Sequence, residues 1–196
     1  MTTPVVALYV DPEGPYPALV EDWYDKARDA TTYPGDLPVV AHPPCGPWGR
    51  LHHLCKHQDA TLAPVAVEQV QRFGGVLEHP AHSRLWKECG LPLPGQPSLF
   101  VPGFTLAVEQ WRWGHYAIKP TWLYVVGLRG ELPELPPEPS RPHSPPCQWR
   151  ISSVTGKLYR RGGGMINSGR SKHLRHLTPP ALASWLVDLA SRCHAP

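Results

Sequence analysis

The stretch VVAHPPCGPWGRL, residues 39–51, places two consecutive prolines directly after an apolar run. Proline fixes φ and lacks a backbone N–H, so Pro43 and Pro44 must end any strand that the preceding residues form. The residue before each proline is forced into extended geometry, which holds the following segment open. Cys45 is therefore predicted to lie on a stiff loop at the carboxyl end of a strand. Ligands of open α/β sheets bind at such strand ends.

Apolar runs and helical patterns alternate along the first two thirds of the chain. Buried strands are predicted at residues 4–10, 37–45 and 75–80, followed by an antiparallel pair at 105–114 and 119–128. Helices are predicted at residues 18–30, 60–74, 83–90 and 178–192. This order predicts an α/β fold: a mostly parallel sheet with an antiparallel edge strand and helices on both faces.

Composition divides the 196 residues into three segments. Residues 1–130 carry the alternating pattern and are predicted to form a compact α/β domain. Residues 131–177 begin with a proline-rich linker and end in a basic, glycine-rich segment. Residues 178–196 are predicted to form a C-terminal helix that packs back on the α/β domain.

The cysteines and the hydropathy pattern bear on the compartment. Five cysteines at irregular spacing, with no secretory leader, predict free thiols in a reducing, cytoplasmic environment. No apolar run approaches the length of a membrane span. The cluster His52, His53, Cys55 and His57 has the side chains of a zinc site, but its spacing matches no known finger or ribbon. We therefore expect no metal.

Cys45 and Glu78 form the first candidate site. Each follows a predicted parallel strand, and two such strands joined by a helical crossover end at the same edge of the sheet. A thiolate beside a carboxyl group suits addition to an electron-poor ring, where sulfur attacks carbon and the carboxyl group contacts a ring nitrogen. The alternative is structural: cysteine is often simply buried, and Glu78 caps the segment that follows it.

Basic residues form the second candidate site. Arg112 and Lys119 lie near the junction of the last two predicted strands, where cations can hold a phosphate or a base edge. Residues 159–176 are glycine-rich and contain no acidic residue. Five basic side chains of that segment are predicted to contact nucleic-acid phosphates, namely Arg160, Arg161, Arg170, Lys172 and Arg175. The alternative is a solvated, charged face.

Several of these motifs resemble the cytosine-C5 DNA methyltransferases, including small phage-encoded proteins of that type. Pro44-Cys45 is similar to the Pro-Cys dipeptide that carries the nucleophile, and Glu78 in EHP to the catalytic glutamate after the next strand. The segment WGHYAIKPTWLYVVG is similar to a later hairpin, and RHLTPPALASWL to the entry of the closing helix. The similarity covers roughly residues 38–128 and 170–190. Gly46 and His79 stand where the family has Gln and Asn.

The resemblance implies a reduced Rossmann-like methyltransferase sheet and a flipped pyrimidine base in DNA that the Cys45 thiolate attacks at C6. Glu78 would hold N3, and a group would be transferred to C5. Further contacts to the base or the DNA are expected from His42, Arg50, His79, Arg112 and Lys119. We also expect the basic neighbours His42 and Arg50 to favour the thiolate of Cys45.

S-adenosylmethionine is the donor that the resemblance implies, bound near Asp11 and Gly14 in the loop YVDPEGPYP. That loop contains one glycine and three prolines, whereas the family has a glycine-rich loop whose backbone closes around the cofactor. We therefore expect weak binding of S-adenosylmethionine. Two alternatives remain: modification of the pyrimidine 5-position with another donor, and a catalytically silent nucleic-acid-binding module.

The basic segment generates a prediction about DNA binding. If its five cations contact phosphates, log affinity for DNA will fall with log salt concentration at a slope of roughly −4 to −5. Replacing Arg160, Arg161, Arg170 and Arg175 with Ala will flatten that slope by about 3–4, as measured by fluorescence anisotropy on one oligonucleotide across a salt series. An unchanged slope would show that the segment is only a solvated face.

Overall fold

A computed structural model describes residues 3–49, 52–55, 59–115, 117–137, 148–151, 158–161 and 177–196. Six strands form one sheet: β1 Val6–Leu8, β2 Asp22–Tyr24, β3 Val39–Ala41, β4 Gly75–Pro80, β5 Phe104–Glu109 and β6 Pro120–Val126. A separate antiparallel pair consists of β7 Gln148–Ile151 and β8 Leu158–Arg161. The α-helices are α1 Leu62–Phe73, α2 Arg84–Glu88 and α3 Pro180–Ser191. No helix in these ranges is long and apolar enough to cross a membrane.

The large sheet has the strand order β2-β1-β3-β4-β6-β5. The first four strands in this order are mutually parallel, and β6 pairs antiparallel with both β4 and β5. The predicted α/β class and mixed sheet are confirmed. The edge strand β5 does pair antiparallel, but β6, which lies inside the sheet, is the strand that runs against all the others. In consequence β3, β4 and β5 end, and β6 begins, at one edge of the sheet.

Each face of the sheet is covered by helix, because successive strand residues point to opposite faces. On one face, Leu8, Ala41 and Leu77 pack with α1 and α2. On the other face, Val40 and Val76 pack with α3. The strands are therefore apolar on both faces, as is typical of parallel strands buried between helix layers.

The helix predicted at residues 18–30 is wrong. Its residues form the edge strand β2, which lies between two short 3₁₀ turns, at Tyr16–Ala18 and Ala30–Thr32. Two effects outweigh the apparent helical spacing of these residues, one of them tertiary and the other local. Pairing of β2 satisfies the open edge of β1 and buries Tyr24. In addition, Asp29 adopts a positive φ of 49° and accepts a hydrogen bond from the backbone N–H of Thr31, which is incompatible with a continuing helix.

The close pairing of β3 with β4 requires glycine at position 75. Gly75 has a φ of 118°, and a Cβ atom there would lie 2.0 Å from the carbonyl oxygen of Val39 on the neighbouring strand. Gly90 also has a positive φ, 63°, but a Cβ atom there would meet nothing within 4 Å. Alanine at Gly90 would therefore cost only backbone strain, whereas alanine at Gly75 would add a clash between β3 and β4.

We predict that Gly75→Ala lowers the free energy of unfolding by at least about 3 kcal/mol, because the substituent forces β3 and β4 apart. Gly90→Ala is the matched control and is expected to cost only about 1–2 kcal/mol from its left-handed backbone. Urea unfolding followed by circular dichroism measures both values. Equal losses in the two variants would contradict this account of the β3–β4 pairing.

Candidate active site

The register of β3 with β4 brings two polar side chains together at the carboxyl edge of the sheet. Ala41 pairs with Leu77, so the next residues, His42 and Glu78, lie side by side and point to the same face. His42 Nδ1 is 3.0 Å from Glu78 Oε2, and both side chains are 11% exposed. Pro43 and Pro44 then end the strand, so this pair lies next to the loop that carries Cys45.

Gln110 holds the other oxygen of Glu78. It follows β5 in a short 3₁₀ turn, and its Nε2 donates to Glu78 Oε1 at 2.8 Å and to Thr121 Oγ1 at 3.0 Å. Gln110 is fully buried, and its Oε1 has no hydrogen-bond partner in the described part of the chain. Both oxygens of the Glu78 carboxylate are therefore occupied by protein donors.

Tyr16 extends this hydrogen-bonded chain from the loop after β1. Its hydroxyl lies 2.5 Å from His42 Nε2, and the residue is 2% exposed. Burial and the charge of Glu78 raise the pKa of Tyr16 well above its ordinary value, so the hydroxyl keeps its proton. The Tyr16 hydroxyl thus bonds His42 Nε2 while Nδ1 of the same ring bonds Glu78. The result is an ordered chain, Tyr16–His42–Glu78–Gln110.

Glu78 is held as a carboxylate. Burial by itself would raise its pKa, but the hydrogen bond from His42 and the nearby charges of His42 and Lys119 lower it to about 2. The carboxylate is thus stabilised by specific donors and cations in a place where solvent contributes little. At neutral pH this group accepts hydrogen bonds and carries a negative charge.

Cys45 begins the 3₁₀ turn Gly46–Trp48 and is partly buried. Burial and the negative charge of Glu78 raise the pKa of its thiol, and the positive charge of Lys119 lowers it. The net direction is upward, against the expected stabilisation of the thiolate by His42 and Arg50, of which Arg50 lies outside the described residues. The neighbour that dominates is the carboxylate. Cys45 lies three residues beyond His42, so its loop starts at the edge of the sheet that carries Glu78.

Lys119 and Arg112 lie at the same edge of the sheet. Lys119 precedes β6, and its Nζ donates to the backbone oxygen of Leu177 at 3.3 Å. Arg112 borders an open cleft of about 360 Å³ and donates to the backbone oxygen of Pro136 at 3.0 Å. Neither side chain makes an ion pair with any described residue. Both cations thus lie at the junction of β5 and β6.

His79 points the other way. It follows Glu78 on β4, so its side chain lies on the face covered by α1, and it is fully buried with its ring 6.3 Å from that of Trp86. Burial lowers the pKa of His79 to about 4, which keeps the ring neutral. Neither ring nitrogen has a hydrogen-bond partner within the described ranges. The structure does not bring His79 together with the other predicted contact residues.

The loop after β1 does not offer the backbone donors that S-adenosylmethionine would need. The N–H of Gly14 donates to the carbonyl oxygen of Asp11 at 2.9 Å, and the N–H of Glu13 donates to Asp11 Oδ1 at 3.0 Å. Pro12, Pro15 and Pro17 have no N–H to give. Tyr16 is packed into the core from the same loop. Two of the loop's amides are thus used internally and three of its positions have none, so the loop lacks the run of free amides that a glycine-rich loop presents, and the residues present do not fit the cofactor.

Other predicted residues fall outside this geometry. Only the backbone of Arg160 and Arg161 is described, at the end of β8. Arg50, Arg170, Lys172 and Arg175 lie outside the described residues. The four described cysteines, Cys45, Cys55, Cys89 and Cys193, are free thiols. No group of three or more potential metal ligands occurs among the described side chains.

Sequence reasoning missed Tyr16 and Gln110. Gln110 carried a usable signal, since it is a polar residue directly after a strand that ends at the site edge. Tyr16 carried none, because its contact with His42 joins residues 26 positions apart. Neither a scan against protein-family models nor a search of curated proteins finds a match to this chain.

The electrostatics of the site predict opposite effects of two charge removals on Cys45. Glu78→Gln removes a negative charge, so the thiol pKa will fall and alkylation by iodoacetamide at pH 7.5 will accelerate by roughly 3- to 10-fold. Lys119→Gln removes a positive charge and will slow the same reaction. The measurement is the rate–pH profile of Cys45 labelling, read by peptide mass spectrometry. Shifts in the same direction for both variants would contradict the assigned charge pattern.

Proposed function

We propose that this protein is a DNA-modifying enzyme that attacks the 6-position of a pyrimidine through Cys45 and transfers a group to the 5-position, in the manner of the cytosine-C5 methyltransferases. The observation that carries the proposal is the placement of Cys45 three residues beyond His42, whose ring hydrogen-bonds the ordered carboxylate of Glu78 at the carboxyl edge of the sheet. A mixed α/β sheet with helices on both faces is consistent with a reduced Rossmann-like methyltransferase.

The chemistry begins when Cys45 loses its proton to solvent base. The sulfur forms a bond to C6, and the electron pair of the C5–C6 double bond moves toward C5 and the ring carbonyl or imine. C5 then forms a bond to an electrophilic carbon of the donor, whose leaving group departs with the bonding electron pair. Loss of the C5 proton to solvent base with departure of sulfur from C6 restores the ring. Glu78 positions the base through a ring edge, and the charge of Lys119 stabilises the negative charge that develops on the ring.

The raised pKa of the thiol fits an enzyme whose nucleophile is activated by its substrate. A base that donates a hydrogen bond to Glu78 offsets part of the negative charge that opposes the thiolate, and it does so only in the complex. This mode of action protects the thiol from reaction when no base is bound.

The donor must supply an electrophilic carbon to C5. S-adenosylmethionine would supply a methyl cation equivalent, but the loop after β1 has no amides positioned for it, so no step is assigned to that cofactor. The donor is better described by its chemistry, an electrophilic carbon. Binding of DNA would come from Arg112, Lys119 and the basic residues of the 159–176 segment.

Reversible addition at C6 can be tested without any donor, because it allows the C5 hydrogen to exchange with solvent. In deuterated water, the protein is expected to catalyse deuterium incorporation at C5 of a pyrimidine in an oligonucleotide, detected by mass spectrometry. Cys45→Ser will reduce the exchange rate by at least about 100-fold, since the nucleophile is lost. Cys89→Ser, at a free thiol on another part of the fold, is the matched control and should keep the rate.

Three results would contradict the proposal. Exchange that survives in Cys45→Ser would remove Cys45 as the nucleophile. DNA binding with no exchange in single-stranded or duplex oligonucleotides would instead support a silent nucleic-acid-binding module. Exchange of free mononucleotides at the same rate as oligonucleotides would show that DNA is not the preferred substrate.

A further inference from the structure

The hydrogen-bond chain fixes what Glu78 can offer a ligand. Oε2 accepts from His42 and Oε1 accepts from Gln110. Neither donor side chain can rotate away from Glu78. The other ring nitrogen of His42 is hydrogen-bonded to Tyr16, and the Gln110 amide also donates to Thr121. A carboxylate has about four lone-pair positions, so two remain for a ligand. Whatever group meets Glu78 must therefore donate a hydrogen.

A second acceptor accompanies the carboxylate. Gln110 Oε1 is buried and has no partner among the described residues, and it belongs to the same amide group whose nitrogen bonds Glu78. A buried carbonyl oxygen without a partner costs free energy, which a donating ligand would recover. The site is thus rich in acceptors, while its neighbouring donors, His42 and Gln110, are already engaged with Glu78.

Cytosine and uracil differ in whether N3 of the ring accepts or donates a hydrogen bond. Cytosine has a lone pair at N3, and addition at its C6 requires a proton to be supplied to that nitrogen. Uracil is an imide and has N3–H, which donates. A carboxylate opposite the N3 lone pair of cytosine is repelled, whereas the same carboxylate opposite N3–H forms a charge-assisted hydrogen bond. The low pKa of Glu78 agrees with this distinction, because it withholds the proton that cytosine would need.

We infer that the base accepted by this site is an imide pyrimidine of the uracil type, read through its N3–H by Glu78, and not cytosine. The inference rests on the proposed function and specifies its substrate class. It departs from the cytosine specificity that the sequence resemblance implies.

Cytosine could still present its exocyclic amino group to Glu78, but that contact leaves its ring without the proton that activates C6. Uracil needs no such proton. Addition of sulfur at its C6 moves the electron pair into an enolate on the carbonyl oxygen at position 4, and C5 then takes a proton from water. Loss of the original C5 hydrogen re-forms the enolate, and departure of sulfur from C6 restores the C5–C6 double bond and completes the exchange cycle. A cation stabilises the enolate. Lys119 is available for this, since its charge reaches Cys45 and Glu78 and no described acidic residue pairs with it.

The experiment compares C5 hydrogen exchange in two oligonucleotides that differ only by one deoxyuridine or deoxycytidine. Each rate is divided by the rate that free cysteine gives on the same oligonucleotide, which removes the intrinsic reactivity of the base. We expect the normalised rate of deoxyuridine to exceed that of deoxycytidine by at least about 100-fold, the scale of discrimination when a buried polar group is left mismatched.

Glu78→Gln tests the residue responsible. An amide can donate to N3 of cytosine, so the variant should lose rate on deoxyuridine and gain on deoxycytidine, lowering the ratio at least about tenfold. Glu88→Gln, the same change on the exposed side of α2, should leave the ratio unchanged. Thermal melting establishes that each variant is folded. If Glu78→Gln does not fold, the wild-type ratio decides by itself.

The outcomes separate the two proposals. A normalised ratio near or below one, with exchange that depends on Cys45, overturns the imide inference and leaves the proposed function standing. No exchange on either base overturns the proposed function and the inference with it. If the normalised ratio of deoxyuridine to deoxycytidine exchange stays high in a folded Glu78→Gln variant, Glu78 is not the residue that recognises N3–H.

Discussion

The parallel pairing of β3 with β4 is the constraint on which the site depends. Because Ala41 lies opposite Leu77, the strands deliver His42 and Glu78 to the same face at the same height. A shift of one residue in this register would send one of the two side chains to the opposite face of the sheet. The close approach that Gly75 allows, with its α-hydrogen facing Val39, therefore contributes to the site as well as to the core.

Glu78 shows how a fold can hold a charge in a place that water reaches poorly. Removing a carboxylate from solvent costs several kcal/mol unless polar partners replace the lost hydration. Here the partners come from three separate elements: His42 after β3, Gln110 after β5 and, through His42, Tyr16 after β1. Because each partner is itself held by a further hydrogen bond or by burial, the carboxylate is preorganised as an acceptor. The negative charge of Glu78 also raises the pKa of the Cys45 thiol. The group that is proposed to bind the base therefore disfavours the thiolate until a ligand binds.

The loop after β1 lies at a position where many α/β sheets bind a cofactor, but in this chain its residues serve a different role. Loops at this position commonly present backbone amides to a cofactor, which requires glycine and an open helix N-terminus. In this chain, prolines remove several amides, Asp11 occupies two others, and Tyr16 fills the interior beside β1 and β3. The loop therefore supports His42, a residue of the adjacent strand, and its contribution to the site is a buried phenol.

The sequence by itself determined the parts that depend on local chemistry and on the order of elements. Proline pairs end strands wherever they occur, so the position of Cys45 after β3 followed from Pro43 and Pro44 alone. Alternating strands and helices put Cys45 and Glu78 at one edge of an α/β sheet, and the periodic helices α1 and α3 were found close to their predicted bounds.

Tertiary structure decided the rest. The apparent helix at residues 18–30 became a strand because the open edge of β1 needed a hydrogen-bonding partner, which no local pattern records. Tyr16 and Gln110 joined the Glu78 network through contacts 26 and 32 residues apart, and the pKa of Cys45 rose because the thiol is buried and the charge of Glu78 opposes its ionisation. Electrostatic energy depends on distance and on burial, and both quantities exist only once the chain has folded.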